Sequence, residues 1–257
     1  MLNNWKSVWI TGASSGIGYS LAKILANSGS LVAVSARRKD KLIELGSLND
    51  NIIPIDLDVG DVAQVKDKYN QIVEKFDDGI DLVILNAGVS KLFSVEDIED
   101  RYNDIINTME INYFGVINCL TAIIPDMIKR GKGHIAIVAS IAGYRGLPNS
   151  IAYSPTKAAL INLADILKSE LTHYGIEVSI INPGFVDTEA TKVNNFKMPN
   201  LVSTDYAAKK IIQGLNKVKY EIHFPFLLSF KLKLMRLLPH KLYFYIIKKF
   251  IWKKTSK

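Results

Sequence analysis

The chain of 257 residues is poor in cysteine, proline and long apolar runs. Its single thiol, Cys119, excludes a disulfide framework and a cysteine-based zinc site. Eight prolines exclude a proline-rich linker, and no run approaches the roughly 18 apolar residues typical of a spanning helix. The N-terminus has no apolar segment, so we expect no secretory signal. With 48% hydrophobic and 22% charged residues, the composition is globular and excludes a disordered chain.

Acidic residues are also missing from one end of the chain. The segment from Ile222 to Lys257 has nine Lys or Arg and no Asp or Glu, so the net charge of +7 lies in this tail. Nucleic-acid-binding proteins more often spread basic residues over a folded surface, so no nucleic-acid partner is predicted. A basic tail with aliphatic and aromatic residues favours an anionic membrane surface instead.

Short apolar segments rich in Val and Ile alternate with helical segments. The predicted strands are Ser7–Ile10, Leu31–Ala36, Ile52–Ile55, Leu82–Leu85, His134–Ala139, Glu177–Ile181 and Tyr220–Phe224. The predicted helices are Gly18–Asn27, Val62–Phe76, Tyr102–Lys129, Tyr153–Tyr174 and Tyr206–Asn216. Continuous apolar runs are typical of strands buried on both faces, so we predict an α/β fold with a doubly wound parallel sheet of about seven strands. Residues 1–221 are predicted to form this domain, and residues 222–257 a basic, amphipathic helical extension.

Three glycines follow the first predicted strand, in the sequence Thr11-Gly-Ala-Ser-Ser-Gly-Ile-Gly18. Glycine permits a tight turn and lets the backbone approach a phosphate, and the N-terminus of the next helix offers free N–H groups to a pyrophosphate. The alternative is a glycine-rich turn without a ligand. The predicted phosphate-binding residues are Gly12, Ser14, Ser15, Gly16, Ile17 and Gly18.

The spacing T-G-x-x-x-G-x-G resembles the short-chain dehydrogenase/reductase family, and further motifs follow in the same order up to residue 188. They are Asn86-Ala87-Gly88, Asn112, Ser140, the Y-x-x-x-K motif of Tyr153 and Lys157, Pro183-Gly184, and Thr188. The resemblance implies a Rossmann-like fold, a nicotinamide cofactor bound by these residues, and hydride transfer at a carbonyl or alcohol. We also expect a homodimer or homotetramer.

The second predicted strand ends in Ala36-Arg37-Arg38, where relatives that prefer NAD usually carry an acidic residue. Guanidinium groups pair well with phosphate, so Arg37 and Arg38 are predicted to bind the 2′-phosphate of NADP(H). The alternative is a solvated charge pair. Asp58-Val59 resembles the pair that contacts adenine in the family, and the alternative for Asp58 is a turn carboxylate.

Tyr153 and Lys157 lie four residues apart and share one face of a predicted helix. A nearby ammonium and a nicotinamide cation are expected to lower the pKa of the phenol, which is ordinarily about 10. The resemblance implies that Tyr153 moves the proton, that Ser140 binds the carbonyl oxygen, and that Lys157 binds the nicotinamide ribose. It implies that Asn112 holds a water linked to Lys157. Alone, Tyr153 would be an ordinary residue of an amphipathic helix.

No metal site is predicted, because the four histidines are not grouped with carboxylates. These histidines are His134, His173, His223 and His240. Cys119 lies in an apolar helical stretch and is predicted to be a small core residue.

The extension contains two predicted helices, Phe226–Leu238 and His240–Trp252. In the second, one face carries Tyr243, Ile246, Ile247, Phe250 and Ile251, and the lysines Lys241, Lys248, Lys249 and Lys253 lie opposite. This pattern is typical of a helix that lies in a membrane interface. The alternative is that both helices pack on the body of the protein or on a second subunit.

We therefore predict an NADP(H)-dependent oxidoreductase that interconverts a carbonyl and an alcohol on a lipophilic, lipid- or steroid-like substrate. The expected location is the cytoplasm, with peripheral attachment to the inner face of a membrane through the extension. One alternative is a 3-oxoacyl-thioester reductase acting on a soluble carrier. A second is a non-catalytic protein that binds or senses NADPH, against which the intact set of Ser140, Tyr153 and Lys157 argues.

Overall fold

A parallel sheet forms the centre of the protein in the computed structural model, which describes residues 5–192 and 198–252. In these residues seven strands pair in the order β3-β2-β1-β4-β5-β6-β7, and every pair is parallel. The strands are β1 (Ser7–Thr11), β2 (Leu31–Ala36), β3 (Ile52–Asp56), β4 (Leu82–Leu85), β5 (Gly133–Val138), β6 (Ile176–Pro183) and β7 (Glu221–Phe224). The predicted Rossmann-like, doubly wound α/β fold is confirmed.

Helices cover both faces of the sheet. They are α1 (Gly16–Asn27), α2 (Lys39–Gly46), α3 (Val62–Val73), α4 (Tyr102–Met109), α5 (Gly115–Arg130), α6 (Ser154–Leu171), α7 (Glu189–Lys192), α8 (Thr204–Asn216), α9 (Phe226–Leu237) and α10 (His240–Ile246). The sequence predictions missed α2, a short and mostly polar helix that buries only Leu42 and Leu45. The single helix predicted over Tyr102–Lys129 is interrupted by a π-helical turn, Glu110–Phe114.

The core has two layers, one on each face of the sheet. On one face α3, α5 and α6 bury Ile72, Ile123 and Leu160 against the strands. On the other face α1 and α8 bury residues such as Leu21 and Ile211. Successive side chains of a strand point to opposite faces of the sheet. Because helices cover both faces, the side chains on either face must be apolar, which explains the continuous Val and Ile runs.

The helical stretch Tyr102–Arg130 has the length and mean hydropathy of a membrane-spanning helix. It nevertheless packs as a core helix, because Val116, Leu120, Ile123 and Met127 lie buried against the sheet. Cys119 lies in the same buried row, as predicted.

The C-terminal extension follows the last strand without a linker. The predicted boundary at residue 222 falls inside β7, and α9 begins two residues after that strand. The predicted membrane face of the last helix is wrong at Tyr243, because this side chain is buried on the body and donates a hydrogen bond to the carbonyl of Gly146. The side chains of Phe250 and Ile251, and residue Lys253, lie outside the described part of the chain.

Candidate active site

The turn after β1 has glycine at two positions whose backbone conformation other residues rarely adopt. We call residues 11–18 the glycine cradle. Gly12 and Gly16 have φ angles of +68° and +62°, in the left-handed region. A Cβ on Gly12 would lie 2.7 Å from the Cα of Ala87, and one on Gly18 would lie 2.6 Å from the carbonyl oxygen of Gly12. The turn therefore brings β1, β4 and the start of α1 into close contact.

Asn86 fastens this turn to the end of β4. Its side-chain amide donates to the carbonyl oxygens of Thr11 and Gly12, both at 3.0 Å. In return, the hydroxyl of Thr11 accepts from the backbone N–H groups of Asn86 and Ala87. These four bonds explain why Thr11 and Asn86 accompany the glycines: they hold the turn in one shape.

The residues of the glycine cradle fit a pyrophosphate group. Ser15 precedes α1 in an extended conformation without a side-chain bond to the helix, so the first N–H groups of the helix are left for another partner. Ile17 packs on the core and anchors the first turn. Thr188 approaches from the loop after β6, since a Cβ on Gly16 would lie 3.1 Å from its methyl group. An anion at this helix end would therefore lie between the cradle and Thr188.

The two predicted phosphate-binding arginines differ in their surroundings. Arg38 turns back to the cradle, where its guanidinium donates to the hydroxyls of Ser14 and Ser15 and pairs with Glu189 at 2.8 Å. Arg37 is exposed and lies 4.0 Å from the carboxylate of Asp58. Arg38 is thus the more closely held of the two cations beside the cradle.

Asp58 and Val59 begin the turn after β3 and have separate local roles. The Asp58 carboxylate accepts from the N–H of Gly60 at 2.9 Å, as expected of a turn residue. Val59 is buried, and its carbonyl oxygen accepts from the side chain of Asn118. A Cβ on Gly115 would lie 2.7 Å from the Val59 side chain, so this turn packs directly on the start of α5.

The residues predicted to act in catalysis meet beyond the carboxyl end of β5. Ser140 is buried just after the strand, and its hydroxyl contacts the N–H of Ala142 and the carbonyl of Pro183. Tyr153 precedes α6 and hydrogen-bonds with Ser140. Lys157, one turn further along, donates from Nζ to the carbonyl of Val138 at 2.9 Å and lies 5.6 Å from the Tyr153 ring centroid. The three side chains therefore share one small volume.

Burial sets the protonation behaviour of this group. It lowers the pKa of Lys157 to about 8, because the interior penalises the charged ammonium. It raises the pKa of Tyr153, and the hydrogen bond with Ser140 only opposes that rise. The expected lowering of the phenol pKa includes a nicotinamide cation; among the chain's own groups burial is the larger effect, and it raises the pKa of Tyr153. A cationic nicotinamide ring would act in the lowering direction.

Asn112 lies fully buried in the π-helical turn between α4 and α5. Its amide donates to the carbonyl of Val89 and to the hydroxyl of Thr156, while its Oδ1 accepts from the N–H of Val89. Gly88 lies between Asn112 and Lys157, because a Cβ there would be 3.1 Å from Asn112 Oδ1 and 3.5 Å from Lys157 Nζ. Asn112 therefore holds the loop after β4 against α6.

The loop after β6 closes the other side of the group. Pro183 ends the strand, and the N–H of Gly184 donates to the carbonyl of Phe224 at 2.7 Å. A Cβ on Gly184 would lie 3.0–3.3 Å from Pro225, Ile141 and Leu228, so the end of β6 is in contact with the start of α9.

A cavity of about 510 Å³ opens beside this edge of the sheet. It is lined by Phe93, Val95, the segment 142–151, and three residues of α6, Ser154, Pro155 and Ala158. Neither Tyr153 nor Ser140 lines it, so it neighbours the group described above without containing it.

Several residues at this edge were missed by sequence reasoning because their partners are distant in the chain. Thr156 reaches Asn112 across 44 positions, and Glu189 reaches Arg38 across 151. Arg145 binds the end of α9, where it donates to the carbonyls of Met235 and Leu238. No motif or spacing in the sequence predicts any of these contacts.

The family model for short chain dehydrogenase matches residues 6–199, three quarters of the chain. The chain belongs to the short-chain dehydrogenase family. An uncharacterized oxidoreductase of Myxococcus xanthus is 34% identical over 93% of this chain and 95% of its own length.

Two solved structures share the fold of this short-chain dehydrogenase. One, from Burkholderia cenocepacia in complex with NADP, has a TM-score of 0.83 at 24% identity and covers 96% of this chain and 99% of its own. The other, from Burkholderia phymatum in complex with NAD, has a TM-score of 0.81 at 22% identity and covers 91% and 94%. The chain is therefore an NAD(P)-binding oxidoreductase by family.

Proposed function

We propose that the protein interconverts a carbonyl and an alcohol by hydride transfer with NADP(H), on a lipophilic substrate. The observation that carries this proposal is the convergence of the buried Ser140 and Lys157 with the half-buried Tyr153 in one small volume beyond the carboxyl end of β5. The nicotinamide supplies or accepts the hydride when it is bound. The chain's own groups bind the reactants and move the proton.

In the direction of reduction, the Tyr153 phenol donates its proton to the developing alkoxide. Ser140 holds the carbonyl oxygen by a hydrogen bond next to that phenol. Burial raises the pKa of the phenol and so weakens it as an acid, whereas the positive charge of an oxidised nicotinamide would lower that pKa toward the range in which proton transfer is efficient. Lys157, whose ammonium is destabilised by burial, gains from hydrogen bonds with ribose hydroxyls. Asn112 fixes the loop against which these groups pack.

The remaining cofactor contacts follow the motifs. The glycine cradle with Thr188 is proposed to hold the pyrophosphate, and Asp58 with Val59 the adenine. The segments Asn86-Ala87-Gly88 and Pro183-Gly184 are proposed to border the nicotinamide, because both end at the edge that carries Tyr153 and Lys157.

The preference for NADP(H) rests on Arg38 and its neighbours. Its guanidinium already lies against the Ser14 and Ser15 hydroxyls, so cation and hydroxyl donors surround one position at the end of β2. Arg37 is a second cation at the same strand end. A 2′-phosphate placed there would compete with Glu189 for Arg38.

The lipophilic substrate is supported by the position of the extension. Leu228 of α9 comes within van der Waals distance of the position of Gly184 at the candidate site, and the adjacent cavity is lined by apolar residues such as Phe93 and Leu147. A 3-oxoacyl-thioester reductase on a soluble carrier remains the alternative enzyme. A protein that only binds or senses NADPH is the alternative outside catalysis.

We place the protein in the cytoplasm, attached peripherally to the inner face of a membrane, as a homodimer or homotetramer. In this proposal the chain through Phe224, the end of β7, forms the catalytic domain, and the basic residues after it form the extension. The basic character of residues 222–257 supports the attachment.

The test is a panel of carbonyls of increasing chain length, read as NADPH absorbance. Turnover that rises with chain length and falls about 10²–10⁴-fold in Tyr153→Phe is the expected result. The Tyr153→Phe variant should still bind NADPH, because the ring remains.

A second test concerns the cofactor. Replacing Arg37 and Arg38 by alanine should weaken the binding of NADPH far more than that of NADH. Tight NADPH binding with no turnover on any carbonyl would favour the sensing protein, and equal affinity for NADH would contradict the cofactor preference.

A further inference from the structure

Helix α9 presents a row of large apolar side chains to solvent. They are Phe226, Leu227, Phe230, Leu234 and Leu237, which are between 45% and 80% exposed. At 3.6 residues per turn they fall within a sector about 100° wide, the width of the buried stripe on an ordinary surface helix. The rings of Phe226 and Phe230 stack at 5.8 Å, so the row is continuous. We call it the apolar face of α9.

Contacts made outside the apolar face hold α9 in this orientation. Ser229 is fully buried, and its hydroxyl contacts His223 and the carbonyl of Pro225. Lys233 pairs with Glu221 at the start of β7. Arg145 donates to the carbonyls that end the helix. Because these contacts fix the rotation of α9, the apolar face cannot turn inward without breaking them.

The apolar face also lies near the candidate active site. Helix α9 begins two residues after the carboxyl end of β7, at the edge of the sheet where β5 and β6, the strands before Ser140 and Gly184, also end. Leu228 and Pro225, in its first turn, lie against the position of Gly184. Leu228 lies on the side of α9 turned toward the body, so the helix that carries the apolar face also borders the candidate site.

The charges on and next to α9 favour an anionic bilayer over a second copy of the chain as the partner of the apolar face. No acidic residue follows Glu221, whereas Lys231, Arg236 and Lys241 are exposed on or next to α9. A two-fold contact between copies would set the same unbalanced cations of both chains against each other. An anionic bilayer offers both hydrocarbon for the apolar side chains and negative headgroups for the cations.

We propose that the apolar face of α9 is the membrane-contacting surface, and that it sets the candidate active site against an anionic bilayer. The second part rests on the proposed function: the lipophilic carbonyl would enter from the lipid instead of from water. The face differs from the one expected from the sequence, because Tyr243 of the last helix packs on the body.

The experiment is co-sedimentation of the full chain with vesicles at low salt. One vesicle contains phosphatidylcholine and phosphatidylglycerol in equal parts, and the other phosphatidylcholine alone. The double variant Phe230→Ser/Leu237→Ser removes two side chains of the face. The control Ile43→Ser/Leu48→Ser removes two other exposed apolar side chains, on and after α2. Lys231→Glu/Arg236→Glu tests the cations.

We expect strong partition into the anionic vesicles and weak partition into phosphatidylcholine. Loss of the two apolar side chains should lower partition about tenfold or more. The control on α2 should stay within about twofold of the unmodified chain. The charge variant should lose the preference for anionic vesicles, and added salt should weaken binding without abolishing it.

The proposal is overturned if the full chain stays in the supernatant with anionic vesicles at low salt. It is also overturned if the apolar variant binds vesicles like the unmodified chain but loses mass in light scattering, because the face would then join two copies. Turnover of the carbonyl panel described under the proposed function is measured separately, without vesicles. Turnover without vesicle binding refutes the membrane surface alone, and vesicle binding without turnover refutes the proposed function alone.

Discussion

Replacing Arg145 by alanine is expected to release the C-terminal extension from the body of the protein. Arg145 lies in the segment that lines the cavity, and it donates to the carbonyls of Met235 and Leu238 at 2.7 and 2.9 Å. Its guanidinium also lies 3.8 Å from the ring centroid of Tyr243. One side chain thus binds the end of α9 and the middle of α10 at once.

The size of the effect follows from these contacts. Hydrogen bonds from a charged donor contribute about 1.5–3 kcal/mol, and a cation–π contact about 0.5–2 kcal/mol. The contributions of one side chain are not additive, and Arg145 is only half-buried, so we expect a loss of about 2 kcal/mol in docking free energy. A loss of about 2 kcal/mol raises the detached fraction about 30-fold.

Limited trypsin digestion measures that fraction, because the extension offers many Lys and Arg residues. When closing is faster than cleavage, the cleavage rate follows the detached fraction. Cleavage after Lys241 should therefore be about 30-fold faster in Arg145→Ala. Arg101→Ala is the control, since it breaks only an exposed pair with Asp104 far from the extension in sequence. Equal cleavage rates for Arg145→Ala and the unmodified chain would show that Arg145 does not hold the extension on the body.

Three further changes test the site. Gly18→Ala would set a Cβ 2.6 Å from a backbone oxygen, so NADPH affinity measured by fluorescence should fall sharply, and unchanged affinity would contradict the geometry of the cradle. Glu189→Gln frees Arg38 and should tighten NADPH more than NADH, whereas equal changes for both would contradict a 2′-phosphate at Arg38. Burial lowers the pKa of Lys157 to about 8 from 10.5, so between these values the unfolded chain binds more protons and the stability of the folded chain rises with pH. In urea unfolding, Lys157→Met should lack that rise, and a parallel rise in both chains would show that another group causes it.

The sheet could be predicted from the sequence because its strands are continuous apolar runs. Leu31–Ala36 and Leu82–Leu85 match the observed strands residue for residue, since each run is bounded by polar or glycine-rich turns. Helix α2 was missed because only Leu42 and Leu45 are buried, too few for an apolar stripe. The π-helical turn around Asn112 was missed because it responds to tertiary contacts with Val89 and Thr156, not to a local preference.

For the candidate site, too, some features could be predicted from the sequence and others could not. Glycines and motif residues could be found because each follows a predicted strand, and the carboxyl ends of parallel strands meet at one edge. The surroundings of those residues could not be predicted. The pKa of Tyr153 depends on how deeply the phenol is buried, and the sequence pattern contains no measure of burial. The orientation of the last helix likewise depends on Arg145 and Gly146, about a hundred positions earlier.

The C-terminal extension starts at the same edge of the sheet as the candidate active site. Because β7 is parallel to β6, its carboxyl end lies at the edge that carries Ser140, and whatever follows β7 must start there. Glu221 links α9 to the cavity. Its carboxylate accepts a hydrogen bond from the Tyr144 hydroxyl at 2.5 Å and forms an ion pair with Lys233 of α9. Tyr144 belongs to the cavity lining. A substitution in α9 that broke the ion pair between Lys233 and Glu221 would therefore disturb the cavity wall at Tyr144. It would leave Tyr153, Lys157 and the glycine cradle in place. We expect such a change to alter KM for a bulky carbonyl and to leave NADPH affinity unchanged.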